Sequence, residues 1–158
     1  MTPRTPWLFL KRLLLFFWAA WLSLVTATNT ADALKAAGVL PGSFPFASGN
    51  YELVRQVAAP SGLPPAAVAG LFAGVIVWEG TAAALFWRAG RSFRGAKAGG
   101  RHGLPVWTFA VSLGLWAAFQ LACEALPSQL AYQVEGAHRG VFTAQLATLL
   151  ALALLPDD

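Results

Sequence analysis

Long apolar stretches separated by short polar segments are the dominant pattern along this chain. Four of them predict membrane-spanning helices at about residues 7–28, 65–87, 104–126 and 138–155. A helix needs about 20 apolar residues to cross a hydrocarbon core of roughly 30 Å, so three stretches are long enough and the fourth is marginal. The pattern predicts an all-α fold, with residues 1–158 forming one integral membrane four-helix bundle.

The first stretch has a second interpretation. Lys11 and Arg12, the following apolar run, and the small pair Val25 and Ala27 are also typical of a cleaved signal peptide. We expect this segment to be a permanent helix.

The composition agrees with a membrane chain. Of the 158 residues, 57% are hydrophobic and 11% are charged, whereas about 25% are charged in a typical soluble domain. Cys123 is the single cysteine, which excludes an internal disulfide and a multi-cysteine metal site. The net charge of +4 does not indicate nucleic-acid binding, because the basic residues lie beside the apolar stretches.

The distribution of Lys and Arg predicts the orientation. With a cytoplasmic N-terminus, the opposite side holds only Lys35, Arg55 and Arg139, and the excess of positive charge is cytoplasmic, as the positive-inside rule requires. The cytoplasmic basic residues are then Arg4, Lys11, Arg12, Arg88, Arg91, Arg94, Lys97 and Arg101. Because the Ala-, Leu- and Arg-rich composition is typical of bacteria, we predict a multi-pass inner-membrane protein with both termini cytoplasmic.

Residues 29–64 form one long loop between the first two spans, which this orientation places in the periplasm. Four prolines divide it and exclude a long helix there. Within it, residues 50–57 predict a short amphipathic helix. Leu53, Val54 and Val57 would pack on the bundle, while Glu52 and Arg55 would face water.

The cytoplasmic loop between the second and third spans is rich in glycine and arginine. Its charge is most simply explained as fixing the topology. A functional alternative is that it binds anionic phospholipid headgroups or an acidic face of a partner. The residues concerned are Arg88, Arg91, Arg94, Lys97 and Arg101.

Glu79 lies near the middle of the second span. A carboxylate in hydrocarbon is costly, so it must face protein, water or a partner. A structural interpretation makes it a protonated, hydrogen-bonded side chain inside the bundle, with Ser23, Thr26, Ser112 or Gln120 as its partner. The functional interpretations are a proton or cation site, or a buried contact with another chain.

Small residues on the same span predict a helix-packing face. Gly70 and Gly74 are spaced four apart and Ala84 follows on a later turn, a pattern that lets helices approach closely. At 100° per residue, Glu79 lies about 140° from Gly74 on another face. The second span therefore needs neighbours on two sides, one of which is predicted to be a partner protein.

A polar cluster is predicted near the periplasmic surface. Its members are Gln120, Glu124, Glu135, His138 and Arg139. The structural interpretation is an ion pair between Glu124 and Arg139 that ties two helices together. The functional alternative is a metal or proton site formed by Glu124, Glu135 and His138, although metal sites usually have better-defined ligand sets.

The sequence lacks the motifs of common cofactors. It contains no C-x-x-C-H haem motif, phosphate-binding glycine loop or zinc motif, and His102 and His138 lie on opposite sides of the membrane. We therefore expect no cofactor to be bound by the chain's own residues. A lipid, quinone or pigment at an interface stays open, since aromatic residues of the first span could line a groove for one.

The order of polar residues along nearly the whole chain resembles that of a known family. The matching positions are Asn29 and Asp32, then Asn50-Tyr51-Glu52-Leu53-Val54-Arg55-Gln56-Val57, Glu79, Glu124, Glu135-Gly136 and Arg139. They resemble the bacterial four-span proteins described as predicted small integral membrane proteins, domain of unknown function 2165. This chain departs from them in a longer first loop, in Glu135 where Asn is usual, and in lacking an aromatic run after Glu124. The resemblance implies four helices and the topology above, and no established activity.

These observations favour a non-catalytic accessory subunit of a larger bacterial inner-membrane complex, of the respiratory or photosynthetic electron-transfer type. Its partners would be other integral membrane subunits and phospholipids, with no nucleic acid. The alternative is a small transporter or an ion- or proton-binding membrane protein centred on Glu79. A third class, an enzyme acting on lipid at the periplasmic cluster, is the least favoured.

Overall fold

The computed structural model describes residues 6–93, 103–126 and 129–155. The helices are α1 (Pro6–Ala36), α2 (Asn50–Ala58), α3 (Pro65–Ser92), α4 (Gly103–Ala125) and α5 (Gln129–Leu154), with a 3-10 turn at Ala59–Ser61. The described part of the chain contains no strand. Four of the helices are long and apolar enough to cross a membrane, which confirms the predicted all-α membrane fold. The side on which each terminus lies stays a prediction.

Two helices extend at least eight residues beyond the predicted spans, and α3 continues five residues beyond its span, to Ser92. α1 continues for eight residues past Thr28 and ends at Ala36, two residues before Gly38, whose positive φ of 74° fits the left-handed conformation common after a helix. α5 begins nine residues before His138. Glu135 therefore lies within α5, six residues after its start.

The four long helices pack as two pairs joined by α3. α1 packs along α3, α3 also contacts α4, and α4 packs along α5. At the end of the bundle that holds the start of α1, Leu15, Phe86 and Phe109 are fully buried, and the last two rings meet edge to face at 4.9 Å. Trp18 Nε1 donates to Thr148 Oγ1 of α5 at 3.1 Å. This end of the bundle is therefore closed by side-chain packing.

Within the described chain, the closest approach of two helices at a glycine occurs at Gly90, and the predicted partner interface at Gly70 and Gly74 stays a prediction. A Cβ at Gly90 of α3 would lie 2.7 Å from Phe16 Cε1 of α1, so the two helices need glycine there. Gly70 and Gly74 have no neighbouring atom within 4 Å of such a Cβ, and they are exposed together with Ala84. No other helix of the described chain therefore packs closely against Gly70 or Gly74.

Two arginines near the C-terminal end of α3, Arg12 of α1 and Arg91 of α3, contact the backbone or an aromatic ring. Arg12 Nε donates to the Gly90 carbonyl at 3.2 Å, and the Arg91 guanidinium lies 5.5 Å from the centre of the Trp87 ring. Arg88 is exposed on the last turns of α3. The remaining residues of the predicted basic loop, Arg94, Lys97 and Arg101, lie outside the described residues.

α2 covers the other end of the bundle. It contacts α1, α3 and α5, and its residues Leu53, Val54 and Val57 are half-buried on the side facing the long helices. On the exposed side, Arg55 donates two hydrogen bonds of 2.7 Å to Glu52. The predicted amphipathic helix of the long loop is confirmed.

Candidate functional site

Glu79 is buried in the interior of the bundle, and its partner is a side chain of α1. Only 2% of its surface is exposed. Asn29 Nδ2 lies 3.1 Å from Glu79 Oε1 and 2.8 Å from Oε2, so a single amide donates to both carboxyl oxygens. Asn29 is itself 2% exposed. Buried polar groups in proteins generally have at least one hydrogen-bond partner, and Asn29 supplies it here.

Asn50 extends this contact to α2. Its Nδ2 donates to Asn29 Oδ1 at 2.8 Å, so both polar ends of the Asn29 amide are used. The result is a chain of hydrogen bonds from α3 through α1 to the first residue of α2. The position of α2 and the orientation of the Asn29 amide at Glu79 are therefore physically connected.

Asp32, one turn after Asn29 on α1, holds the start of α2. Its Oδ2 accepts hydrogen bonds from the Tyr51 backbone N–H at 2.6 Å and from Ser48 Oγ at 3.3 Å. The first N–H groups of a helix have no partner within the helix, and a carboxylate is favoured there. Asp32 therefore caps α2 from a different helix, since Gly49 at the cap position offers no side chain.

Glu79 and Asn29 lie in the wall of a cavity of about 530 Å³. The cavity lies between the α1–α3 pair and the α4–α5 pair, beneath α2, where the bundle is not closed by packing. Its lining is mainly aliphatic and aromatic, and Asn50, Cys123 and His138 are its other polar residues apart from the tryptophans. A cavity of roughly 300–1,000 Å³ with few polar groups is typical of small-molecule sites.

Aromatic rings form the wall contributed by α1, α4 and α5. The centre of the Trp116 ring lies 5.8 Å from that of Trp21 and 5.5 Å from that of Phe119. The His138 ring stacks on Phe119, with 4.8 Å between the ring centres. Cys123 Sγ lies 4.0 Å from His138 Nδ1. Trp116 is 6% exposed, and its indole N–H has no hydrogen-bond partner among the described residues. This wall thus contains a buried donor that no other described residue satisfies.

The predicted partners of Glu79 were wrong. Ser23 and Thr26 donate to backbone carbonyls of their own helix, at Ala19 and Leu22. Gln120 likewise donates to the Trp116 carbonyl, and Ser112 Oγ is buried without a partner in the described chain. Serine and threonine in an apolar helix commonly return their hydroxyl to the preceding turn, which leaves the longer amide of Asn29 to reach Glu79.

The predicted polar cluster is only partly assembled. Arg139 pairs with Glu135, one turn earlier on α5, and not with Glu124 as expected. Glu124 is exposed on α4, whereas His138 faces the cavity. Among the described residues, no three His, Cys, Asp or Glu side chains are grouped to hold a metal ion. The predicted Glu124–Arg139 tie between helices is therefore wrong, because α5 starts early enough to supply Glu135 at i, i+4.

Hydropathy predicts no role for three residues of this site, Asn29, Asp32 and Asn50. The sequence singles them out only through the resemblance to a family. The available signal was the spacing of Asn29 and Asp32 near the end of an apolar helix, three residues apart and on one face. Their side chains were predicted to lie in a loop, since the apolar stretch ends at Thr28.

Compared with known proteins, the chain matches no family model, no curated protein and no solved structure. The resemblance to the predicted small integral membrane proteins therefore stays a prediction. The fold and the site define a multi-pass membrane protein with a buried carboxyl group beside a cavity between the two helix pairs.

Proposed function

We propose that this protein binds an ion or a small molecule at Glu79, within the cavity beneath α2. The observation that carries the proposal is the position of Glu79, which is buried, bonded to Asn29, and part of the cavity wall. This corresponds to the binding-protein alternative from the sequence, and it needs no catalytic group.

The hydrogen bonds around Glu79 leave part of the carboxyl group free. A carboxylate offers about four acceptor positions on its two oxygens. Within the described chain, one amide nitrogen supplies its hydrogen bonds. A buried charge with so few partners is costly compared with an apolar side chain of similar size. Retaining a glutamate here is therefore best explained by a ligand that completes its interactions.

The cavity gives such a ligand space and an apolar environment. Its volume falls within the range of small-molecule sites, and five of its lining residues are tryptophan or phenylalanine. A ligand entering from the bilayer would exchange hydrocarbon contacts for these side chains. Glu79 and Asn50 would fix its orientation.

Ligand-dependent stabilisation of the purified protein tests this proposal. Cys123 is buried, so a thiol-reactive fluorophore reports its exposure during thermal unfolding. Wild-type and Glu79→Gln proteins are compared with sodium, potassium, calcium, a lipophilic cation and a neutral quinone. We expect at least one of them to raise the unfolding temperature of wild type only, since about 100 Kd of ligand adds about 2.7 kcal/mol.

Two results would overturn the proposal. In one, none of these ligands shifts the wild-type unfolding temperature. In the other, every shift is equally large in Glu79→Gln. Glu124→Gln serves as the matched control, because it removes a carboxylate that is exposed and lies outside the cavity wall.

The accessory-subunit function is the second candidate, and a separate observation favours it. Gly70, Gly74 and Ala84 are exposed on α3, and no described atom outside the adjoining helix backbone lies within 4 Å of a Cβ at either glycine. A partner helix in the inner membrane could approach closely there. Gly74→Leu should then remove large subunits that co-migrate with the wild type after mild solubilisation, whereas Glu79→Gln should not. A wild-type chain that migrates alone would exclude this candidate.

A further inference from the structure

The cavity wall combines one acidic group with aromatic faces and carries no fixed positive charge. Resting on the proposed function, we propose that the ligand is a lipophilic organic cation, such as a quaternary ammonium, phosphonium or protonated amine with an apolar body. The cationic centre lies at Glu79 and the apolar body against the aromatic wall.

The charge of the wall selects the sign of the ligand. Glu79 is the acidic residue among those that line the cavity, and none of those residues is Lys or Arg. Unit charges 4 Å apart interact by about 4 kcal/mol at an effective dielectric constant of 20, so a carboxylate there strongly favours a cation over an anion. Phosphate or carboxylate headgroups would meet like charge and no basic residue.

Aromatic faces supply the second part of cation recognition. Rings that line the cavity come from α1, α3 and α4: Trp21, Phe72, Trp78, Trp116 and Phe119. Cations are attracted to such faces within about 6 Å of the ring centre, and tryptophan binds them best. Trp21 and Trp116 are adjacent in this wall, with ring centres 5.8 Å apart.

A bare metal ion fits the cavity poorly. Calcium, for example, takes about six to eight oxygen ligands. The side-chain oxygens in the lining come from Glu79, Asn29 and Asn50, and Asn29 Oδ1 already accepts from Asn50. A cavity of about 530 Å³ with an apolar wall instead suits an ion that carries its own hydrocarbon.

A neutral quinone is also less suitable. Its carbonyl oxygens only accept hydrogen bonds, and an ionised carboxylate likewise only accepts, so the two would face each other without a proton. Among the other titratable groups of the wall, Cys123 and His138 contact each other, and His138 stacks on Phe119. No Lys or Arg in the lining opposes the preference for a cation.

Equilibrium binding of two ions of the same shape and opposite charge tests the inference. Purified wild-type protein in detergent is immobilised by a C-terminal tag and dialysed against labelled tetraphenylphosphonium or tetraphenylborate. We expect saturable binding of tetraphenylphosphonium, at least tenfold weaker in Glu79→Gln and unchanged in Glu124→Gln. Trp116→Leu should weaken it about threefold to tenfold through loss of one aromatic face.

The outcomes separate this inference from the proposed function. Glu79-dependent binding of tetraphenylborate or a neutral quinone, without tetraphenylphosphonium binding, would overturn the cation class and leave a binding site at Glu79. Tetraphenylphosphonium binding that is equal in wild type and Glu79→Gln would also refute the inference. Failure of every ligand, including the inorganic cations, would overturn both.

Discussion

Replacing Asn29 by Ala should destabilise the protein through Glu79. The change removes the amide whose nitrogen lies 3.1 Å and 2.8 Å from the two carboxyl oxygens, and it leaves Asn50 Nδ2 without its acceptor. Because Glu79 is 2% exposed, water cannot simply replace the lost partner at the unchanged site. The structure thus predicts that Asn29→Ala lowers the free energy of unfolding by much more than an ordinary surface substitution does.

Two comparisons bound the decrease in the free energy of unfolding. Neutral side-chain hydrogen bonds between membrane helices average about 0.6 kcal/mol, which gives about 1 kcal/mol for two contacts. Removing one partner of a buried charged pair costs about 3–5 kcal/mol. We expect about 2–4 kcal/mol, because the contact joins an uncharged amide to a carboxyl group.

Unfolding in mixed detergent micelles with increasing dodecyl sulfate measures this free energy. A double-mutant cycle with Glu79→Ala isolates the pair, and its coupling should be about 1.5–3 kcal/mol, in the range found for contacting residues. Thr30→Ala is the control, since Thr30 is exposed and bonds only to its own helix at the Thr26 carbonyl. If the Asn29 and Glu79 losses simply add, the two side chains do not stabilise each other and the described contact is wrong.

Three further predictions concern helix packing and α2. Gly90→Val should cost about 1–3 kcal/mol by overpacking against α1, whereas Gly74→Val should be close to neutral in the monomer; equal losses in the same unfolding assay would contradict this difference. Asp32→Ala removes the cap of α2, so hydrogen exchange of its amides should accelerate by about threefold to thirtyfold, while α3 stays protected. Hydrogen bonds from Arg55 and Gln56 lower the pKa of Glu52 from 4.5 to about 2, so the contribution of this carboxylate to α2 is present above pH 4.5 and is lost as the pH falls toward 2. Its NMR titration midpoint should lie near 2, and a midpoint near 4.5 would show that these hydrogen bonds are absent in solution.

Hydropathy was sufficient to predict the long helices because a membrane selects for apolar length. It was less reliable at their ends. The apolar stretch of α1 stops at Thr28, yet the helix continues to Ala36, since Asn29 and Asp32 find partners on α3 and α2. Tertiary contacts of this kind are not visible in the local sequence. The amphipathic α2 was predictable because its polar and apolar residues alternate with the helical period.

The candidate site was predictable at Glu79 and not beyond it. A lone carboxylate in an apolar span identifies a buried polar contact, but not which helix supplies it. The spacing of Gly70 and Gly74 likewise indicates a helix-packing face but not its partner. Within the described chain, the close contact between α1 and α3 occurs at Gly90 instead. The cavity depends on how far the α1–α3 and α4–α5 pairs separate, which no local pattern specifies.

The Asn29–Glu79 contact also has a consequence for how the chain is made. Both residues belong to the first half of the sequence, and so does Asn50, so the polar partners of Glu79 emerge from the ribosome before α4 and α5. Chains are synthesised from the N-terminus, and a helix carrying a carboxylate enters the bilayer more easily beside a helix that can bond to it. The first half can therefore shelter Glu79 during insertion, and the second half adds the remaining wall of the cavity afterwards.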